Sequence, residues 1–220
     1  MPPRPIGSAL FAAAALLLTS AAAVAQTITF DNDTPGQPTR DFEFGLAGDG
    51  GPGRWQVVAD KSANGGKALA QLSTNTAANR FLVAIYNPTV FANGEITTRC
   101  RPVGGKVDQA CGVIVRAADP RNYYIARANA LEDNVRFYRV RNGARQQLAT
   151  DDTVKVASGQ WHTLTLRVAG DRYTVIFNGK TLHTTTDTTA EPRPAEGRAG
   201  LWVKSDSVTH FDRIEIRTLP

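Results

Sequence analysis

Short β-type runs separated by turn dipeptides are the feature that most constrains this chain. From Ile28 onward, runs of four to eight residues rich in Val, Ile, Leu, Thr, Phe and Tyr alternate with Gly, Asn, Asp and Pro. The dipeptides Asn93-Gly94, Asn142-Gly143 and Asn178-Gly179 favour tight hairpin turns, because both residue types tolerate positive φ. The pattern predicts an all-β fold, a sandwich or a barrel of antiparallel strands.

Three local patterns refine this prediction. The segments 134–140 and 146–149 flank one Asn-Gly turn, and 173–177 and 180–183 flank another, so each pair predicts a hairpin. Residues 161–168 alternate so that His162, Leu164, Leu166 and Val168 share one face, which predicts a strand with one buried side. The Gly-rich segment 45–53 is expected to be a surface loop, and no segment predicts a helix with confidence.

The amino terminus predicts export. Arg4 precedes an apolar run over 9–18, and Ala23-Val24-Ala25 ends the segment with small residues, a pattern typical of a signal peptide cleaved after Ala25. A membrane anchor is the alternative, but the run is shorter than the roughly 20 residues that span a bilayer. We therefore expect residues 1–25 to be a signal peptide and residues 26–220 to form one β-sandwich domain that is secreted or periplasmic.

The charge pattern argues against nucleic acid as a partner. The formal net charge is +5, but Arg residues are interleaved with Asp and Glu and form no basic stripe. After the amino-terminal segment, no run is long and apolar enough to span a membrane. The sequence leaves the oligomeric state open.

The two cysteines, Cys100 and Cys111, predict a disulfide. Export would place them in an oxidising compartment, and they lie on strand-like runs joined by a turn containing Gly104-Gly105. Folded as a hairpin, this segment would bring the sulfurs onto neighbouring strands. We expect the bond to contribute about 2–3 kcal/mol, since its loop is short. A metal site is disfavoured, because no histidine lies near in sequence.

A series of motifs in the second half resembles a known group of domains. The motifs occur in the order 112–116, 119–124, 127–129, 142–143, 159–162, 178–180 and 200–212. Together they resemble bacterial secreted concanavalin A-like jelly-roll domains, in particular the laminin-G-like and 3-keto-disaccharide hydrolase group. The resemblance covers roughly residues 30–217. It implies two stacked antiparallel sheets with a concave face that receives sugars in many relatives, and it leaves function open.

The same resemblance raises a structural calcium ion as a cofactor. Many such domains hold calcium where the first and last strands meet, and Asp31 and Asp212 lie at the corresponding positions of this sequence. A hard cation requires six to eight oxygen ligands. The alternative is that both aspartates only cap or bridge strand ends.

The sequence supplies no catalytic set. A glycosidase needs two carboxyl groups on either side of the scissile bond, and no strand carries alternating acidic residues. The acidic pairs 132–133 and 151–152, together with Glu215, are interpreted as turn and surface residues. His162, His183 and His210 have no metal-ligand spacing, and no nucleophile elbow is present.

The strand after Asn122 suggests where a ligand would bind. Tyr123, Arg127 and Asn129 alternate with Tyr124 and small residues, so they face away from the core. If neighbouring strands add to that face, an aromatic wall and polar groups form a groove. The predicted ligand-binding set is Arg116, Tyr123, Arg127, Asn129, Trp202 and Lys204. The plain alternative is a solvated outer face, and Trp55 and Trp161 are expected to anchor the core or loops.

Three functions follow as hypotheses. The first is a non-catalytic module that binds a carbohydrate through the concave sheet. The second, implied only by the resemblance, is a hydrolase acting on keto-disaccharide glycosides. The third is a structural or interaction domain without a small ligand.

Overall fold

The structure is a β-sandwich, as the sequence predicts. This computed structural model describes Met1, residues 24–189 and residues 194–219, so the predicted signal peptide lies almost wholly outside the described residues. The strands are β1 (Ala25–Ile28), β2 (Phe42–Gly48), β3 (Trp55–Ala59), β4 (Lys67–Gln71), β5 (Arg80–Phe91), β6 (Asn93–Gly104), β7 (Ala110–Asp119), β8 (Asn122–Asn129), β9 (Asn134–Arg141), β10 (Ala144–Asp151), β11 (His162–Ala169), β12 (Arg172–Phe177), β13 (Lys180–Thr186), β14 (Gly197–Lys204) and β15 (Val208–Leu219). One 3₁₀ turn spans Asn64–Gly66. In these parts of the chain, no helix is long and apolar enough to cross a membrane.

Two antiparallel sheets form the layers. The eight-stranded sheet has the order β13-β12-β11-β6-β15-β4-β3, with β1 also paired to β15, and the seven-stranded sheet has the order β10-β9-β8-β7-β14-β5-β2. Ala25 of β1 pairs with Arg217 of β15, so the first and last strands are neighbours. The main core lies between the sheets and includes Leu69 and Phe211 of the eight-stranded sheet, Phe137 of the seven-stranded sheet, and Phe30, which follows β1.

Two of the three Asn-Gly dipeptides that predicted hairpin turns do form them. Asn142 and Gly143 have φ of 49° and 83° between β9 and β10, and Asn178 and Gly179 have φ of 48° and 80° between β12 and β13. Positive φ at both central residues matches the right-handed twist of the paired strands. The third dipeptide was wrongly predicted to close a hairpin. Asn93 and Gly94 begin β6, and the chain crosses there from the seven-stranded to the eight-stranded sheet.

The predicted disulfide is present, but it joins different elements from those expected. Cys100 and Cys111 are bonded and fully buried, with Cα atoms 6.2 Å apart. Cys100 is on β6 of the eight-stranded sheet and Cys111 is on β7 of the seven-stranded sheet. The hairpin interpretation was therefore wrong, because the turn between these strands carries the chain from one layer to the other. The bond crosses the core and ties the two sheets together.

The strand over 162–169 has the predicted two-sided character, whereas the glycine segment differs from expectation. His162, Leu164, Leu166 and Val168 are buried, and Arg167 on the other face is exposed. The expected loop over 45–53 is wrong for its first part, since β2 continues to Gly48. Gly45 fits there because the ring of Pro120 packs against it: a Cβ would lie 2.3 Å from Pro120 Cγ.

The middle of the seven-stranded sheet is buried on both faces. Nearly every residue of β7, β8 and β14 is buried. The face opposite the main core carries its own apolar cluster, here called the second core: Ala47, Phe81, Val83, Ile85, Ala110, Ile114, Ala117, Tyr123, Ile125, Tyr138, Val140 and Trp202. Strands enclosed on two sides read as continuous apolar runs rather than alternating ones.

Candidate functional site

Five of the six predicted ligand-binding residues lie on the second-core face of the seven-stranded sheet. Arg127 pairs with Gly112, and Gly112 pairs with Trp202, so these positions form one row across β8, β7 and β14. Tyr123 and Asn129 share the face of Arg127, and Lys204 shares that of Trp202, because side chains two residues apart point the same way. The sequence therefore correctly placed these five side chains on one face of the sheet.

Each of these five side chains forms a hydrogen bond or an ion pair with another residue of the protein. Trp202 is fully buried, and its Nε1–H donates to the Tyr123 hydroxyl at 3.0 Å. Burial raises the pKa of Tyr123 well above its usual range, which keeps the hydroxyl protonated. The groups form a floor of satisfied hydrogen bonds rather than a row of open contacts.

The polar members of the floor are similarly paired. Arg127 is 2% exposed and donates to Glu132 at 2.9 Å and to Asn134. The Asp108 carboxylate accepts a hydrogen bond from Asn129 at 2.8 Å and forms an ion pair with Lys204 at 2.7 Å. Buried charges need such partners to offset their desolvation.

Arg116 does not belong to this face. A bulge in β7 places Arg116 at φ 51°, and its guanidinium turns to the opposite side of the sheet. There it donates to the carbonyl of Gly170 at 2.6 Å and to the Tyr173 hydroxyl at 3.2 Å, and Tyr173 is in the main core. The expectation that Arg116 would line the groove fails because a bulge shifts the side-chain alternation.

The seven-stranded sheet curls over its own second core. Four strands separate β10 from β5, which would hold them about 24 Å apart in a flat sheet. Instead, the guanidinium of Arg145 on β10 lies 4.2 Å from the ring centroid of Phe81 on β5. Gly143 N donates to the carbonyl of Arg121 at 2.9 Å, which links the tips of the two adjacent hairpins. The predicted open groove is therefore largely filled.

A cleft remains open between the two sides of the curled sheet. Its volume is about 550 Å³, and it is lined by Gly48, Asp49, Asn79, Phe81, Tyr138, Gly143, Ala144, Arg145 and Gln147. We call it the Arg145 cleft. Phe81 and Tyr138 are mostly buried, at 4% and 6% exposure, while Asp49, Asn79 and Gln147 are exposed. The cleft thus combines an aromatic base with a polar rim.

Arg145 is the central group of this cleft. Its guanidinium lies over three rings, at 4.2 Å from Phe81, 5.0 Å from Tyr138 and 5.9 Å from Trp202. Burial lowers the pKa of Arg145, yet arginine remains charged at any physiological pH. No hydrogen bond or ion pair joins its side chain to any of the described residues. Its N–H donors face the cleft without protein acceptors.

Sequence reasoning missed the residues of the Arg145 cleft because their proximity comes from curling. Phe81 and Arg145 are far apart in sequence and on strands that are not paired. One signal was available: Arg145 and Gln147 alternate directly after the Asn142-Gly143 turn, which marks them as same-face residues of a hairpin.

None of the three histidines lines the Arg145 cleft. His162 is buried, and its Nε2 is 2.9 Å from the carbonyl of Ala157, in keeping with a structural role. His183 lies on β13, and burial lowers its pKa. His210 Nδ1 bonds the Asp60 carboxylate at 2.7 Å.

The acidic residues noted in the sequence are engaged in local contacts. Burial works to raise the pKa of Glu132, but the charge of Arg127 and further hydrogen bonds lower it overall. Asp133 bonds Lys155 at 2.6 Å, and Glu215 bonds Arg213 at 2.7 Å. The one carboxylate that lines the Arg145 cleft is that of Asp49.

The predicted calcium ligands do not fit a calcium site. The Asp212 carboxylate is ion-paired with Arg99 at 2.7 Å and accepts the Asn64 N–H at 2.8 Å. The main-chain carbonyl of Asp31 accepts a hydrogen bond from Lys67 Nζ at 2.7 Å. In the described residues, no group of three acidic, His or Cys side chains is placed to hold a metal. Two cationic side chains occupy the positions next to the expected oxygen ligands.

One known family matches most of the chain. A family model described as "3-keto-alpha-glucoside-1,2-lyase-like domain" matches residues 47–217. Among the curated proteins, none matches the chain.

Solved structures share the architecture at low identity. The carbohydrate-binding module CBM66 from Bacillus subtilis is 20% identical, with a TM-score of 0.57, over 77% of this chain and 91% of that one. Domain 4 of AbnA, a GH43 extracellular arabinanase from Geobacillus stearothermophilus in complex with arabinotriose, is 14% identical, with a TM-score of 0.55, over 87% and 90%. A Bacillus subtilis protein with a galectin-like fold is 11% identical, with a TM-score of 0.55, over 81% and 91%. At these identities the likeness establishes a shared jelly-roll fold.

Proposed function

The chain belongs to the family of 3-keto-α-glucoside-1,2-lyase-like domains, and within this family we propose that it is an exported, non-catalytic module that binds a carbohydrate in the Arg145 cleft. The observation that carries the proposal is Arg145 itself. A half-buried guanidinium whose donors have no partner among the described residues lies over an aromatic base, in a cleft of the curled sheet.

The chemistry of the cleft suits a sugar. Its aromatic base supports the guanidinium, which offers several N–H donors in a fixed plane to the hydroxyls of a sugar. Asp49, Asn79 and Gln147 add acceptors and donors at the rim. A sugar hydroxyl can both donate and accept, so a rim of mixed polarity suits it better than a rim of one charge.

The five predicted residues on the face below take a supporting role in this proposal. Trp202 lies beneath the Arg145 guanidinium and is held by Tyr123. Arg127 also reaches the Tyr138 hydroxyl at 3.4 Å. We assign this floor, including Asn129 and Lys204, the task of fixing the rings on which the Arg145 guanidinium lies.

The comparisons add motivation for the ligand class. Two of the similar structures are described as a carbohydrate-binding module and as an arabinanase domain in complex with arabinotriose. Export is part of the same proposal. The cross-sheet disulfide is compatible with an oxidising compartment.

A glycan array tests the proposal with one variant and one matched control. Arg145→Ala removes the cleft donors, so we expect binding of the recognised glycan to weaken about tenfold or more, which corresponds to about 1.4 kcal/mol. Arg172→Ala serves as the control, because Arg172 is an exposed arginine on β12 of the other sheet. Equal binding by wild type and Arg145→Ala would reject the cleft. An array without any signal would favour a structural or interaction domain.

A second function is favoured by the family together with Asp49. A 1,2-elimination from a 3-keto-glucoside needs a base to remove the C2 proton, which the adjacent ketone makes acidic. The C2–H electron pair forms the C1–C2 double bond, the C1–O bond to the leaving group breaks, and the leaving oxygen takes up a proton. Asp49 is the carboxylate available in the Arg145 cleft for the first step, and Arg145 would stabilise the enolate oxygen.

Ultraviolet absorbance of the conjugated enone product tests this second function. Incubation with a 3-keto-glucoside should produce the absorbance with wild type and lose it by about 100-fold or more with Asp49→Asn. Asp171→Asn, an exposed aspartate between β11 and β12, is the matched control. A product rate equal to the uncatalysed rate in wild type would leave binding as the function of the cleft.

A further inference from the structure

Trp161 stands at a second surface, on the outer face of the eight-stranded sheet. It directly precedes β11 and is half-buried, whereas Trp55 and Trp202 are 6% and 0% exposed. Sequence reasoning expected Trp161 to anchor the core or a loop. It does contact a loop, through Ser62 in the segment after β3, and it is the least buried of the three tryptophans.

A chain of hydrogen bonds fixes this ring. Trp161 Nε1–H donates to Ser62 Oγ at 3.0 Å, and the Ser62 hydroxyl donates to Asp60 Oδ1 at 2.7 Å. The other oxygen of Asp60 is hydrogen-bonded to His210 Nδ1 at 2.7 Å and also accepts a hydrogen bond from the Arg101 guanidinium. An exposed aromatic ring held by its own network is preorganised for contact, since little side-chain freedom remains to be lost on binding.

Two arginines lie against the ring, and each has its own acidic partner. The guanidinium carbons of Arg99 and Arg101 are 5.0 Å and 5.3 Å from the ring centroid of Trp161. Arg99 pairs with Asp212 and Arg101 pairs with Asp60. Each of these two arginines is therefore already paired with a carboxylate, so neither offers an unpaired charge to an anion.

A polar depression opens next to these arginines. Its volume is about 260 Å³, and it is lined by Asn64, Thr97, Thr98, Arg99, Thr163, Arg213 and Glu215. Arg213 pairs with Glu215 at 2.7 Å, so this third arginine is also compensated. The side-chain hydroxyl of Thr163 is bonded to none of the described residues. The depression offers hydroxyl, amide and guanidinium groups, and both of its arginines are paired with carboxylates.

We propose that the Trp161 ring and this depression form a second carbohydrate site, which takes one neutral sugar unit. The aromatic ring supplies apolar contact to the sugar C–H groups, and Thr163, Asn64 and the outer edge of Arg99 supply hydrogen bonds to its hydroxyls. A neutral unit is favoured over a charged one because every arginine at the site is already paired. This inference shares its ligand class with the proposed function but concerns the opposite sheet.

Two sites on opposite sheets would make binding to a polymeric glycan multivalent. A polymeric glycan, or a surface that presents many chains, could engage both sites, and the second contact would then be intramolecular. Apparent affinity for a polymer would exceed that for a trisaccharide without any additional contact at either site.

Fluorine NMR of protein labelled with 5-fluorotryptophan separates the two sites. The three tryptophans report on different places: Trp161 on the proposed second site, Trp202 on the floor of the Arg145 cleft, and Trp55 on the main core. The probes are the neutral trisaccharides maltotriose, cellotriose, xylotriose and arabinotriose, with trigalacturonic acid as the charged comparison. Trp161→Phe assigns its signal.

The expected result is a saturable shift of the Trp161 signal with at least one neutral trisaccharide, while the Trp55 signal stays in place. Thr163→Val keeps the shape of the side chain and removes its hydroxyl, so it should raise the dissociation constant for this shift about fivefold. Arg145→Ala should leave the Trp161 titration unchanged.

Three results would overturn the second site: no neutral trisaccharide moves the Trp161 signal, trigalacturonic acid alone moves it, or Thr163→Val titrates as wild type does. The proposed function fails separately. Its failure would be a Trp202 signal that stays fixed and an array signal that Arg145→Ala leaves unchanged, whatever the Trp161 signal does.

Discussion

Lys67 illustrates how one charged side chain can organise a loop. Its ammonium group donates to the main-chain carbonyls of Asp31 at 2.7 Å and Asp33 at 2.8 Å. These carbonyls belong to the segment after β1, next to the position where the family resemblance suggested calcium. A bound cation would use the same kind of oxygen atoms. Lys67 provides a covalently attached positive charge there, so this segment needs no ion to hold it.

Removal of this ammonium should be measurable as lost stability. We expect Lys67→Ala to lower the free energy of unfolding by about 1–2 kcal/mol, because two carbonyls lose a charged donor. Lys155→Ala is the control, since Lys155 is 85% exposed in its side chain and its pair with Asp133 should contribute little. Thermal denaturation with and without chelator measures both effects. A wild-type melting temperature that falls on chelation would contradict this account.

At the scale of elements, the curl of the seven-stranded sheet decides what the chain can bind. A flat sheet would expose Tyr123, Trp202 and their neighbours as a broad groove. The hairpin tip at Pro120 instead folds over toward β2 and packs on Gly45. The face is thereby largely covered, and the Arg145 cleft stays open beside it.

A single methyl group should disturb that closure. In Gly45→Ala the new Cβ would lie 2.3 Å from Pro120 Cγ and 2.5 Å from Pro120 Cβ. We expect a loss of about 1–3 kcal/mol in unfolding free energy from this overpacking, together with weaker glycan binding as the hairpin tip moves. In Gly104→Ala, the control, the nearest atom would be Val208 Cβ at 3.9 Å. If chemical denaturation finds the two variants equally stable, the packing of Pro120 on Gly45 does not hold the curl.

The sequence predicted the elements better than it predicted their relation in space. Alternation along β11 and the turn dipeptides at 142–143 and 178–179 are local signals, and the strands formed as expected. Cys100 and Cys111 were correctly paired but assigned to one sheet, because a short connection looks the same whether it stays within a sheet or crosses between sheets. Arg145 was missed because sheet curvature, which brings β10 to β5, leaves no local pattern in the sequence.

At the scale of the whole molecule, three aspartates link stability to pH. Burial opposes ionisation of Asp60, Asp187 and Asp206, but hydrogen bonds outweigh it and lower the pKa of each below its usual range. Asp206, for example, accepts main-chain N–H bonds from Lys106 at 2.6 Å and Asp108 at 3.0 Å, in the connection that carries the chain from β6 to β7. Such carboxylates stabilise the fold only while they are ionised.

The sign of the effect follows from the direction of these shifts. Because the folded pKa values lie below the unfolded ones, the stabilisation is complete above about pH 4 to 5 and is lost as the pH falls through the folded values. We expect the melting temperature to be level near neutrality and to fall steeply in acid. Asp206→Asn should lower it at neutral pH and make the acid decline shallower, while Asp171→Asn should follow wild type. A parallel decline in Asp206→Asn would exclude a role for this carboxylate.

The pairing of β1 with β15 also determines how the molecule would respond to force. Ala25 and Arg217 lie opposite each other, and Ile28 lies opposite Ile214, so both chain ends leave from the same end of one strand pair. Tension applied between those ends would load the transverse hydrogen bonds one after another, as in opening a zipper, rather than all together in shear. The first strand would peel away at low force, while the Cys100–Cys111 bond would keep the two layers joined behind it.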